Sequence, residues 1–167
     1  MLALESCVVA DPPEYRAPVR TRPLLEVYEA VPSITDIVVW STNGKPLTFT
    51  IPVRSEDAGL KMFAHSFLDY GTSEEDPLLI VTIDPSTYDQ TRKIEMKGPP
   101  TTTRAGCHVF TVVVAHDGTF LEDDGFHLDP KKAGDDAAIV SWWMNVNAPD
   151  NASNTLVDCP RSGLPSQ

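Results

Sequence analysis

Residues 43–54, NGKPLTFTIPVR, hold the pattern on which a fold assignment turns. Asn43-Gly44 is a dipeptide that tolerates positive φ, as a two-residue hairpin turn demands. After it Leu47, Phe49, Ile51 and Val53 alternate with Thr48, Thr50 and Pro52, which gives one buried and one wet face at a period of two. Upstream, residues 24–31 and 34–40 read as strands broken at Pro32, the second rich in β-branched Ile34, Ile37, Val38 and Val39. A hairpin joining 34–40 to 47–53 is the expectation. Pro46 and Pro52 each remove a ladder donor, so this strand is expected at a sheet edge.

Immediately downstream, residues 55–70 (SEDAGLKMFAHSFLDY) read as a helix. Ser55 suits an N-cap, Glu56 and Asp57 suit the positive end of the dipole, and Gly71 suits a left-handed stop. Leu60, Phe63, Ala64, Phe67 and Leu68 share one face at helical spacing. Further along, 78–84 (LLIVTID) is a continuous apolar run of the central-strand type. Residues 91–97 alternate as an amphipathic strand, and 107–115 (CHVFTVVVA) form a second strong strand ending at the turn dipeptide Asp117-Gly118. Residues 119–129 are acidic and read as loop. Residues 139–145 read as strand, although 131–136 could open a helix. The fold class expected is therefore α+β and β-dominated: an antiparallel sheet with one packed helix at about residues 55–70.

Extended terminal arms complete the organisation: an N-terminal arm over 1–23, a single globular domain over 24–146 and a C-terminal tail over 147–167. Pro12, Pro13, Pro18 and Pro23 hold the first arm extended. The whole chain has 15 prolines in 167 residues, about twice the ordinary share, which implies stiff connections and few long helices.

A net charge of −11 disfavours wrapping of nucleic acid by the whole molecule. The N-terminal arm is the local exception, with Arg16, Arg20 and Arg22 among its prolines. Three widely spaced cysteines and no charged-apolar leader suggest a reduced protein, intracellular or within a virion; the acceptor triplet Asn151-Ala152-Ser153 then counts as chance. No apolar run approaches the length of a membrane span, so no membrane partner is expected.

Candidate chemistry is sparse. His116, Asp117, Glu122, Asp123, Asp124, His127 and Asp129 have the composition of a metal site, but their spacing matches no ligand pattern, and a solvated turn explains them as well. Cys107 and His108 are neighbours on a strand and so face opposite ways, which leaves Cys107 as a buried apolar thiol. Ser66 and Ser141 lack the context of a nucleophile. No catalytic residue, cofactor or metal is assigned.

Trp142, Trp143 and Met144 carry the clearest surface signal, since on a strand one tryptophan enters the core while the other reaches outward. An outward aromatic is a plausible anchor for association. The reading is a non-enzymatic assembly protein, of the kind of a viral or phage coat, minor capsid or decoration subunit. Its partners would be copies of itself or other assembly proteins, with Trp142, Trp143, Met144, Arg16, Arg20 and Arg22 at the interface. Two alternatives stand beside it. One is an adaptor or inhibitor that accepts a partner strand along 46–53; the other is a small metal-dependent enzyme using His116 and His127.

Overall fold

The computed structural model describes residues 21–70, 77–86, 90–120, 136–147 and 155–156. They build a two-sheet β-sandwich. The elements are β1 (Leu24–Leu25), a 3-10 turn (Val27–Glu29), β2 (Val38–Trp40), β3 (Thr48–Arg54), β4 (Met62–Leu68), β5 (Leu79–Ile83), β6 (Thr91–Lys97), β7 (Gly106–His116) and β8 (Ala137–Val146). One sheet has the order β1-β3-β6; the other runs β2-β8-β7-β4-β5. All pairings are antiparallel except that of β2 with β8.

The core fills the space between the sheets. Phe49, Ile51 and Val53 of β3 and Ile94 and Met96 of β6 face Phe110, Val112 and Val114 of β7 and Val140, Trp142 and Met144 of β8. Phe49 stacks on Phe110 with centroids 4.2 Å apart and interplanar angle 16°, and lies 4.9 Å from the Trp142 ring. The Trp142 indole N–H is not stranded there, because it donates to the Pro32 carbonyl at 2.8 Å. Arg92 of β6 reaches across to the Leu60 and Asp84 carbonyls at 3.3 and 3.0 Å. Burial lowers the pKa of its guanidinium, since desolvation disfavours the charged form.

The β-rich half of the expected fold stands, and the packed helix does not. Residues 62–68 form strand β4. Both faces of β4 are covered: Met62, Ala64 and Ser66 turn to the core, while His65 and Phe67 are buried on the opposite face. A strand buried on both sides is apolar at nearly every position, so helical spacing can be picked out of it without being real. Ser55 does accept the Asp57 N–H at 3.1 Å, as a cap would. The turn closes with the Leu60 N–H on the Asp57 carbonyl, 2.8 Å, and goes no further. Gly59 inside the would-be helix adds about 1 kcal/mol against it.

Three strand assignments are also corrected. Residues 43–44 do turn, with the Gly44 N–H on the Ser41 carbonyl at 2.8 Å, but the turn carries the chain from one sheet to the other. The described residues with positive φ are Asp69, Asn147, Gly106 and Gly118, so no type I′ hairpin forms at Asn43-Gly44. Strand β3 is the middle strand of its sheet, not an edge. Pro52 is tolerated because the N–H and C=O of an antiparallel residue point to the same neighbour. Its carbonyl accepts from Glu26, so the missing donor falls on the side where β1 is only two residues long. Conversely, β5 is the outermost strand next to β4 rather than a central one, and Leu78 just before it and Ile80 within it are exposed.

Candidate functional site

Two arrangements on the five-stranded sheet bring together residues that could act. The first lies at the end of β7. His116 is fully buried, with Nε2 2.9 Å from the Ser55 hydroxyl and Nδ1 against the Asp136 carboxylate. Thr119 donates its hydroxyl to the other Asp136 oxygen. Because a carboxylate only accepts, Nδ1 carries a hydrogen; in the neutral ring Nε2 then accepts from Ser55. The Ser55 oxygen in turn accepts the Asp57 N–H, and the Asp57 carboxylate accepts the Thr21 backbone N–H at 3.1 Å. The loop after β3, the end of β7, the start of β8 and the chain before β1 are thus tied into one network.

Serine, histidine and aspartate in this order are the constellation of nucleophilic hydrolases. Here, however, Ser55 is 1% exposed and His116 0% exposed, and no substrate carbonyl can approach a hydroxyl in that position. The nearby open depression of about 340 Å³ is lined by Gly59, Leu60, Lys61, Asp117 and Gly118, none of which belongs to the network. The network satisfies buried polar groups and ties these loops together. In the sequence His116 belongs to an acidic segment with the composition of a metal site but no assigned metal, and Ser55 suits a helix cap. Both ring nitrogens of His116 are already committed, and among the described residues no cluster of His, Cys, Asp or Glu suits a metal ion. Residues 122–129, including His127, lie outside the described residues. The Ser55–His116–Asp136 contact was not legible beforehand, because its members are 61 and 20 residues apart.

His108 is likewise committed, with Nδ1 2.7 Å from Asp69 and Nε2 2.9 Å from the Arg104 carbonyl. Its neighbour Cys107 is buried as expected but is disulfide-bonded, which departs from the free thiol anticipated for a reduced protein.

The second arrangement is the outer face of the five-stranded sheet. Trp143 points outward and is 48% exposed, with Ile139 on the same strand at 54% and Val39 of β2 at 45%. Val109 is the cross-strand partner of Trp143, and Ser141 lies between Ile139 and Trp143. No charged side chain interrupts this strip of β8. Further across the face, Phe120 stacks on His65 at 3.8 Å, covering the middle of the sheet. Trp142 and Met144, expected beside Trp143 at the surface, are wholly buried in the protein's own core, because alternation sends even-numbered β8 residues inward. Arg22 is exposed just before β1; Arg16 and Arg20 lie outside the described residues.

No family model and no curated protein matches the chain. Among solved structures it is similar to WR4, a C. elegans MSP family member, at 12% identity and TM-score 0.37, over 75% of this chain and 98% of that one. Among the described residues no helix is long and apolar enough to cross a membrane.

Proposed function

We propose that this chain is a non-enzymatic assembly protein that pairs with a second copy of itself through the outer face of its five-stranded sheet. The observation carrying this reading is the uncharged strip of Val39, Ile139 and Trp143, each near half exposed on one face. Half-exposed tryptophan and isoleucine lose apolar surface to water when covered, at roughly 25 cal/mol per Å². Aromatic anchors of this kind dominate binding energy at interfaces. Two copies of net charge −11 repel each other, so pairing is supported only where an uncharged patch meets its own equivalent and no like charges are brought face to face. Coat, minor capsid and decoration subunits are the kind of protein such a surface suits, with residues 1–23 as the arm that extends the contact. Acceptance of a partner strand along 46–53 is not retained, since β3 has neighbours on both sides.

Light scattering coupled to size exclusion, over a concentration series to about 100 µM, tests the reading against the interface sizes that sustain stable dimers. The expected result is a dimer or larger species for the native chain and a monomer for Trp143→Ser. A native chain that stays monomeric throughout would overturn it. Removal of residues 1–20 then separates the arm's share from that of the face.

A further inference from the structure

We infer that β5 is a further self-association site, at which two copies of the chain pair edge to edge, antiparallel, about a two-fold axis at Val81. Of the strands that end the two sheets, β1 and β2 are two and three residues long, and β6 exposes Lys93, Glu95 and Lys97. Short edges and edge charges are the devices that keep a sheet from adding strands. β5 has neither: Leu79–Ile83 is five residues long, with no charge and no proline. Leu78, Ile80 and Thr82 along it are exposed.

The register fixes which backbone groups this edge leaves open. The Asp117 N–H reaches the Lys61 carbonyl at 2.9 Å and the Asp69 N–H the Val109 carbonyl at 2.8 Å, so odd-numbered residues along β4 bond to β7. The N–H and C=O of an antiparallel residue point to the same side, and the sides alternate along the strand. Met62, Ala64 and Ser66 therefore bond towards β5, where their partners are Ile83, Val81 and Leu79. The N–H and C=O of Ile80 and Thr82 point away from β4, and no strand lies beyond them among the described residues.

A second copy matches these groups. With Val81 opposite its own equivalent, Ile80 faces Thr82 of the second copy and Thr82 faces its Ile80, so each open N–H meets an open C=O across the axis. The flanking pairs are Leu79 with Ile83 and Leu78 with Asp84, so no like charges meet, which a chain of net charge −11 requires of any contact with itself. The ladder ends where Pro77 faces Pro85, and Arg92 already holds the Asp84 carbonyl at 3.0 Å. This self-match singles out a copy of the chain as the occupant.

So short a ladder buries far less than the ~1,200 Å² of a stable specific interface, and the contact forms only near 1 mM, on the order of the weakest specific affinities. Trp143→Ser thus stays monomeric over the lower range given above. In the order β2-β8-β7-β4-β5 the Trp143 strip lies towards one end of the sheet and this edge at the other. Where the face contact also forms, each chain has two different two-fold contacts, and pairing extends into a row instead of closing at a dimer. That consequence rests on the face reading; the edge contact does not.

Amide hydrogen exchange followed by NMR on the Trp143→Ser chain isolates the edge, at about 50 µM and about 1 mM. The Val81 N–H, bonded to β4, should be protected at both concentrations. The Ile80 and Thr82 N–H groups should exchange freely at the lower one and at least about twofold more slowly at the higher. Thr82→Pro removes an outward donor that β4 does not use, at a position where edge strands tolerate proline. On the same background it should abolish the slowing at Ile80 and keep the monomer mass by sedimentation equilibrium, with Val81 still protected. Ile80→Lys, which keeps every N–H and adds an edge charge, should also keep the monomer mass. Exchange at Ile80 and Thr82 that does not change with concentration, or association that survives both substitutions, would overturn the inference. In the native chain near 1 mM, a dimer that Trp143→Ser dissolves and Thr82→Pro leaves unchanged would keep the face and overturn the edge. Association that Thr82→Pro dissolves and Trp143→Ser leaves unchanged would keep the edge and overturn the face.

Discussion

The Ser55 hydroxyl lies 2.9 Å from Nε2 of His116, and neither side chain has more than 1% of its surface exposed. That contact joins the loop after β3, which leaves the three-stranded sheet, to the last residue of β7 in the five-stranded one. Removing one member leaves the other without a partner in a dry site, and the unsatisfied group costs more than the bond itself contributed. Ser55→Ala is expected to lower unfolding stability by about 1–3 kcal/mol. Urea titration should show a lower midpoint at unchanged slope, since the surface exposed on unfolding stays the same.

Adjacent tryptophans should behave oppositely. Trp142 fills the core against Phe49 and Phe110, and Trp142→Ala should cost about 3–5 kcal/mol. Trp143 faces solvent, so Trp143→Ala in the dissociated chain should change stability by less than about 1 kcal/mol. Chemical denaturation at low protein concentration measures both, and equal losses would contradict the alternation assigned to β8.

Two glycines offer a backbone comparison. Gly118 has φ of 85° with open space where a Cβ would sit, so Gly118→Ala pays only for the left-handed conformation, about 1–2 kcal/mol. Gly59 also has open space but no positive φ, and Gly59→Ala should be neutral or stabilising by up to about 1 kcal/mol. Thermal melts of the two variants should move in different directions.

Asp69 holds a φ of 55°, and its carboxylate receives the Val109 N–H at 2.8 Å and contacts His108. Asparagine tolerates that backbone and retains an oxygen acceptor, while alanine offers neither. Asp69→Asn is therefore expected to lose less than half the stability that Asp69→Ala loses, roughly 1 against 2–3 kcal/mol. Equal losses in urea denaturation would place the effect on charge alone.

What the sequence determined by itself was the β-rich character and the position of strands whose faces differ. Residues 91–97 and 107–115 were legible because polar and apolar side chains alternate or the run is unbroken, and 139–145 because one tryptophan had to turn out when its neighbour turned in. Local pattern required one outward tryptophan, but not which of the two it would be, nor that Met144 would join Trp142 in the core. The tertiary structure alone decided the rest. Residues 62–68 became a strand because neighbours cover both of their faces, and a segment buried on two sides carries no period of its own. Strand 48–54 became central because β1 pairs with it from 28–30 residues away and β6 from 37–49, a choice its own prolines could not encode. The Ser55–His116–Asp136 clamp and the Asn145–Thr155 contact belong to the same class. Their partners are distant in the chain, and only closing the sandwich brings them within hydrogen-bonding range.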